Sequence, residues 1–155
     1  MNIRDAVRPN LVFLGLDADS SEGAIATMAR ELSSEAGLDA EQVESALLER
    51  EELGSTSVGN GFAIPHCKLN GLDEIVVALA GFPAGVDFGD GRQSSKVEFF
   101  FIVLSPPDQP AAHLQVLSQI ARILKRADLR DRLAEAGDRD AVVTAIEGAA
   151  EREGL

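Results

Sequence analysis

The chain of 155 residues contains two histidines, His66 and His113, and one cysteine, Cys67. His66 stands directly after Pro65, at the end of the stretch GSTSVGNGFAIPH that begins at Gly54. A neutral imidazole nitrogen is a competent nucleophile near pH 7, and Pro65 fixes the backbone φ just before it. Glycines allow positive φ and leave amides uncovered, which makes concavities that bind anions. The hydroxyls of Ser55, Thr56 and Ser57, together with an arginine such as Arg50, could surround an anion attached to His66. The competing reading of the same run is an ordinary loop with tight turns.

Other chemistries fit less well. Gly54 and Gly59 have the G-x-x-x-x-G spacing of a P-loop, but Asn60-Gly61 follows where Lys and Ser/Thr are needed. There is no G-x-G-x-x-G opening a helix. Neighbouring residues on an extended chain point to opposite faces, so His66 and Cys67 should not share a metal ion or form a nucleophile dyad. Cys67 reads as a small buried or half-buried filler. His113 alone is a polar residue at a helix start; a second imidazole reaching His66 is the sharper alternative.

These residues need elements to position them. Ser20 or Ser21 can cap a helix that carries Ile25, Met28, Ala29 and Leu32 at helical spacing and stops at Gly37. Asp39 and Gln42 open a second helix, with Val43, Ala46, Leu47 and Arg50 near one face and Gly54 at its end. LVFLGL (11–16) and GFAIPH (61–66) read as short strands, with Pro65 confining the latter to an edge or a strand end. EIVVALAGF (74–82) and VEFFFIVLSP (97–106) are nearly continuous apolar runs, suited to strands buried on both faces. The turn-rich PAGVDFGDGR (83–92) between them reads as a loop. Pro110 suits a first helical turn, and His113, Leu117, Ile120 and Leu124 then share one face. Two shorter amphipathic helices follow, in ADLRDRLAEAG and DRDAVVTAIEGAAE. The fold class expected is α/β: a single-domain sandwich over 1–155, with a mixed sheet flanked by helices.

Composition narrows the setting. Hydrophobic residues make up 45% and charged residues 26%, ordinary for a globular domain. A net charge of −12 argues against a nucleic-acid partner or an anionic membrane surface. One cysteine excludes an internal disulfide. The start, MNIRDAVRPN, lacks the apolar core of a signal peptide, and FFFIVL (99–104) is far too short to span a bilayer. The expected location is cytoplasmic, with no direct membrane insertion.

The stretch EREELGSTSVGNGFAIPHCK, from Glu49 to Lys68, resembles the active-site signature of the IIA proteins of the bacterial phosphoenolpyruvate:sugar phosphotransferase system, fructose/mannitol type, a branch that includes the nitrogen-regulatory IIA proteins. A downstream H-L-x-x-L-x-x-I/L-A is matched by His113, Leu114, Leu117, Ile120 and Ala121. The resemblance implies that His66 is phosphorylated, that His113 contacts the phosphoryl group or orients His66, and that Arg50 is the signature arginine. Thr56 and Ser55, with Gly59 and Gly61, are the phosphate-binding candidates of the hydroxyl- and glycine-bearing run. It also implies the α/β sandwich and a phosphohistidine donor, the carrier HPr or its nitrogen-branch counterpart. No metal, nucleotide or other cofactor is implied.

Ser57 and Cys67 depart from the family's usual glycines and add a Cβ where the backbone could need positive φ. The sequence is nearer to the regulatory kind, which signals through its phosphorylation state to target proteins. A transport-linked IIA passing phosphate to a IIB domain is the alternative, and a binding module without phosphotransfer is a more distant one. Around His66 we expect a small apolar contact, bracketed by Phe62 and Leu69 and ringed by acidic side chains.

Overall fold

A computed structural model describes residues 2–89 and 95–155. In chain order the elements are α1 (Ile3–Ala6), a 3-10 turn (Pro9–Leu11), β1 (Val12–Phe13), α2 (Ser21–Ala36), α3 (Ala40–Glu52), β2 (Ser57–Gly59), β3 (Phe62–Ala63), β4 (His66–Lys68), β5 (Val76–Asp87), β6 (Lys96–Ser105), α4 (Pro110–Leu124), α5 (Leu129–Glu135) and α6 (Arg139–Arg152).

The two apolar runs form the centre. β5 and β6 pair antiparallel, from Val76 opposite Leu104 to Asp87 opposite Lys96. The sheet order is β1-β5-β6-β3-β2, and β4 also pairs with β6. β1 joins β5, and β3 and β4 join β6, all in parallel, so the sheet is mixed. Alternation along β6 explains its unbroken apolar run. Phe99, Phe101 and Val103 face the core under α1, α4, α5 and α6, while Phe100, Ile102 and Leu104 face the core under α2 and α3. A strand covered on both faces has no solvent side on which to place polar residues.

The local signals that end the helices act as expected. The Ser20 side chain accepts from the Gly23 amide, and Gly37 leaves α2 at φ 69°. The Asp39 carboxylate accepts from the amides of Glu41 and Gln42. Two stretches differ from the sequence expectation. The run 11–16 gives a strand of two residues, because the 3-10 turn begun by Pro9 consumes its start and Gly15, at φ 69°, turns the chain at its end. Residues 83–87, expected as loop, continue β5, with a register shift between Gly81 and Val86 that absorbs Pro83 and Gly85. The end of that expected loop, 90–92, lies outside the described residues. α1 carried no clear periodic signal; Ile3 anchors it, fully buried and with its amide donating to Gln119 Oε1 at 2.7 Å.

GFAIPH becomes two short strands on one edge of β6, with Pro65 between them. Lacking an N–H, Pro65 cannot donate to the ladder, but its carbonyl accepts from the Val103 amide at 2.9 Å. That break delivers His66 to the C-terminal end of β6, beside the last turn of α3 and the first turn of α4.

Candidate functional site

β4 places His66 opposite Val103 and Lys68 opposite Ser105. Alternation sends Cys67 the other way, where it packs against the core under α2 and α3. Burial pushes the Cys67 thiol up to about 12. The two residues that the sequence could have paired as a dyad therefore point apart.

Each nitrogen of the His66 ring has a protein partner. Nδ1 lies 2.7 Å from the Ile64 carbonyl oxygen, which can only accept, so Nδ1 carries the proton. Nε2 is then the unprotonated nitrogen, and it accepts from Arg50 Nε–H at 3.3 Å. Arg50 is fixed in turn by donating from Nη1 to the Gly54 carbonyl at 2.9 Å. It stands in the last turn of α3, on the face expected from its spacing to Val43, Ala46 and Leu47.

The second imidazole does reach the first. The rings of His66 and His113 lie 5.7 Å apart between centroids, with planes inclined at 51°. His113 is 8% exposed, and its Nδ1 is 2.5 Å from Ser105 Oγ. Burial holds the His113 pKa below 6.5, with further lowering from the neighbouring charges of His66 and Lys68.

The hydroxyl run is built differently from an open anion cradle. Thr56 is buried and gives both its amide, at 3.2 Å, and its hydroxyl to the Glu51 carboxylate. Ser55 Oγ donates to the Phe88 carbonyl at 2.6 Å and accepts from the Ser57 amide at 3.1 Å. Ser57 Oγ meets Ser95 Oγ at 2.5 Å. Gly59, Asn60 and Gly61, at φ 88°, 57° and 84°, form the turn between β2 and β3. The Gly61 Cα packs against Arg130 of α5, and its carbonyl accepts from the amides of Glu98 and Phe99. Phe62 pairs with Phe99 and His66 with Val103, so this turn is offset from His66 by about 13 Å along β6. Thus the structure brings together His66, His113 and Arg50, and links Thr56 and Ser55 to the loop behind them. It does not bring Gly59 or Gly61 to the imidazole.

Ser57 and Cys67 lie in extended strands. Among the described non-glycine residues only Asn60 has a positive φ, so neither added Cβ meets the strain anticipated for it. The expected apolar bracket is corrected: Phe62 and Leu69 are buried at 1% and 4% exposure, because both belong to the core. Leu53, Val58 and Leu114 are exposed at 84%, 54% and 66%. Leu53 follows α3, three residues after Arg50, and Leu114 follows His113. An open groove at the end of α3 is lined by Glu49, Arg50, Glu52, Leu53 and Lys68, with half-buried Cys67 at its floor beside Ala46.

Two contacts at the site went unnoticed in the sequence. Ser105 had a readable signal, a lone hydroxyl ending an apolar strand, where a buried O–H must find a partner. Glu51 had one only through the resemblance, whose signature opens on Arg-Glu; taken alone, a glutamate in the last turn of a helix is commonplace.

Residues 6–149 match the family described as phosphoenolpyruvate-dependent sugar phosphotransferase system, EIIA 2. The chain is 43% identical to a nitrogen regulatory protein of Pseudomonas aeruginosa over 115 residues, covering 74% of this chain and 72% of that one. It is 33% identical over 146 residues to a nitrogen regulatory protein of Bradyrhizobium diazoefficiens, covering 94% and 95%. The crystal structure of the nitrogen regulatory protein IIA-Ntr from Neisseria meningitidis superposes with a TM-score of 0.84 at 26% identity, covering 93% of this chain and 98% of that one.

Proposed function

The chain belongs to the EIIA 2 family of the phosphoenolpyruvate-dependent sugar phosphotransferase system, and on that footing we propose that His66 accepts the phosphoryl group at Nε2. The chain is a phosphoryl carrier of that system, with protein partners drawn from it. No described helix is long and apolar enough to cross a membrane.

The observation that carries the assignment is the fixed tautomer of His66. Nδ1–H is committed to the Ile64 carbonyl, so the Nε2 lone pair is available for attack. A phosphohistidine donor, HPr or a counterpart, presents its phosphorus in line with Nε2. The N–P bond of the donor breaks as the Nε2–P bond forms, and the pair of electrons returns to the donor imidazole. Nδ1–H stays on His66, which leaves a protonated phosphoimidazole ready to pass the group on. The transition state is loose, so positioning and charge stabilisation supply the catalysis.

Arg50 Nε touches Nε2 before transfer. It has to release that lone pair, and it then stands beside the arriving phosphoryl oxygens, where a guanidinium binds best. His113 supplies a neutral donor. In this reading the buried Ser105 hydroxyl donates a hydrogen bond to Nδ1, which leaves Nε2–H of His113 for a phosphoryl oxygen. Thr56 and Ser55 hold the loop behind His66, and Gly59 and Gly61 shape the hairpin that carries it. Leu53 and Leu114, exposed beside Arg50 and His113, form the apolar contact for the partner. The likeness to nitrogen regulatory proteins supports a regulatory IIA that works in the cytoplasm and signals through its phosphorylation state.

The test is intact-mass measurement after incubation with the general phosphotransfer enzyme, HPr and phosphoenolpyruvate. One acid-labile phosphoryl group is expected, absent from His66→Ala; its persistence in that variant overturns the assignment. Onward transfer to a purified IIB domain at a rate matching phosphorylation would favour the transport-linked reading.

A further inference from the structure

We propose that Glu51 is a positioning residue for phosphotransfer, setting the tautomer of His66 through Thr56 and the Ile64 peptide. The inference rests on the reading of His66 as the phosphoryl acceptor.

A continuous chain of hydrogen bonds joins the two residues. The Glu51 carboxylate accepts from the Thr56 amide at 3.2 Å and from the Thr56 hydroxyl. The Thr56 carbonyl accepts from the Ile64 amide at 3.0 Å. The Ile64 carbonyl accepts from His66 Nδ1–H at 2.7 Å. Thr56 and Ile64 are 5% and 7% exposed. In so dry a setting each bond is electrostatically stronger than in water, and successive bonds polarise one another.

The chemistry of the first link singles out a carboxylate. Two donors of one residue converge on Glu51, and an ionised carboxylate offers an acceptor oxygen to each, as charge-assisted bonds. An amide offers one acceptor oxygen and a pair of donors. A glutamine would leave one Thr56 donor facing an N–H₂ group. With Thr56 clamped at its amide and hydroxyl, its carbonyl is fixed in direction, and so is the Ile64 peptide that bonds to it. Pro65 restrains the other side of that peptide through its ring. The Ile64 oxygen is therefore held where the imidazole must meet it, and Nδ1 is the nitrogen that meets it.

α3 thereby controls both nitrogens of His66 from adjacent positions. Arg50 touches Nε2 directly, and Glu51 acts on Nδ1 at a distance of three hydrogen bonds. Without Glu51 the Ile64 oxygen is free to tilt, and the ring gains access to the Nε2–H form once Arg50 Nε–H swings off Nε2. In that form the lone pair sits on Nδ1, turned away from the donor, and transfer stops. A wrong imidazole tautomer has cost about 10⁴-fold in a Ser-His-Asp triad. Acting through two intervening groups, Glu51→Ala should cost about 10- to 100-fold in phosphorylation rate.

The experiment reads the tautomer without any phosphoryl donor, by long-range ¹H–¹⁵N spectra of the His66 ring in uniformly ¹⁵N-labelled protein at about pH 8, where an ordinary imidazole is neutral. Wild type should show Nδ1–H. Glu51→Ala should show a clear Nε2–H population, Glu51→Gln a smaller one, and Thr56→Ser, which keeps both donors, the wild-type pattern. Thr56→Val removes the hydroxyl in nearly the same volume and should shift the tautomer even if Glu51→Ala fails to fold. An unchanged Nδ1–H ring in folded Glu51→Ala, or in Thr56→Val, overturns the proposal. A tautomer shift with no phosphate ever found on His66 would sink the phosphoryl-acceptor reading and leave this link standing, so the two can fail separately.

Discussion

The rings of His113 and His66 lie 5.7 Å apart, centroid to centroid, while Nδ1 of His113 is held by the buried hydroxyl of Ser105. A nitrogen held from behind presents its opposite nitrogen in a fixed direction. His113 should therefore donate to the phosphoryl group without carrying it. A preorganised donor to developing charge is worth about 10²- to 10³-fold in rate. We expect His113→Ala to bind the donor yet accept phosphate that much more slowly, with partial recovery in His113→Gln, which retains an N–H donor. Stopped-flow phosphorylation with mass detection checks it; equal rates in wild type and His113→Ala would reduce His113 to a helix-start residue.

The phosphoryl group should also change the titration of His113. In the free protein, burial lowers its pKa, with like charges on His66 and Lys68 adding to the effect. A phosphoryl dianion placed between the rings favours the imidazolium. The His113 pKa should rise on phosphorylation, read from its ring ¹H shifts as pH is varied in both forms. An unmoved pKa would place the phosphate elsewhere.

The same depressed pKa makes stability depend on pH. Below about 6.5 the unfolded chain protonates His113, while the folded chain does not until lower pH. The unfolded state then binds more protons, so stability falls as pH drops from about 6.5 toward the folded value, and is indifferent to this group above 6.5. Denaturation midpoints against pH, taken as wild type minus His113→Gln, should show that slope. A flat difference contradicts the burial account.

Cys67 sits next to His66 in sequence and should nonetheless be inert. Its thiol is pushed up to about 12 by burial, so at pH 8 the thiolate fraction is on the order of 10⁻⁴. Iodoacetamide should label the native protein slowly and the urea-unfolded protein quickly. Rapid native labelling would mean that β4 opens readily or that Cys67 faces solvent.

Much of this site was legible because its signals are local or strictly periodic. The intervals of α4 placed His113 on the face it occupies, the caps at Ser20 and Asp39 fixed two helix starts, and the apolar run of β6 announced a strand covered twice. What escaped depends on long-range pairing. Whether Phe62 and Leu69 are exposed is decided by which core closes over them, and a hydrophobic residue near an active histidine carries no mark of its side. The extension of β5 through Pro83 rests on a register shift that composition alone reads as a turn. The distance of Gly59 and Gly61 from His66 follows from the parallel register of β3 and β4 on β6, which no stretch of sequence shows.

Donor recognition should rest on Leu53 and Leu114, the exposed side chains next to Arg50 and His113, in place of the two buried ones. Leu53 and Leu114 are 84% and 66% exposed, so replacing either by Ser removes little packing and should leave the melting temperature unchanged. If they are the docking contact, each substitution should lower the second-order rate constant for phosphorylation while the rate at saturating donor stays near wild type. Exposed Glu49 and Glu52 stand on the same groove, in a chain of net charge −12. Against a basic-rimmed donor such charges act chiefly on the association rate. The Debye length is about 10 Å at 0.1 M salt, so attraction from the rim fades as salt rises further. The second-order constant should fall between about 0.05 and 0.5 M salt, and Glu49→Gln with Glu52→Gln should flatten that dependence. If the double variant keeps the full salt slope, the steering charge lies elsewhere on the surface. If wild type itself shows no slope, the acidity serves solubility, and docking is left to Leu53 and Leu114.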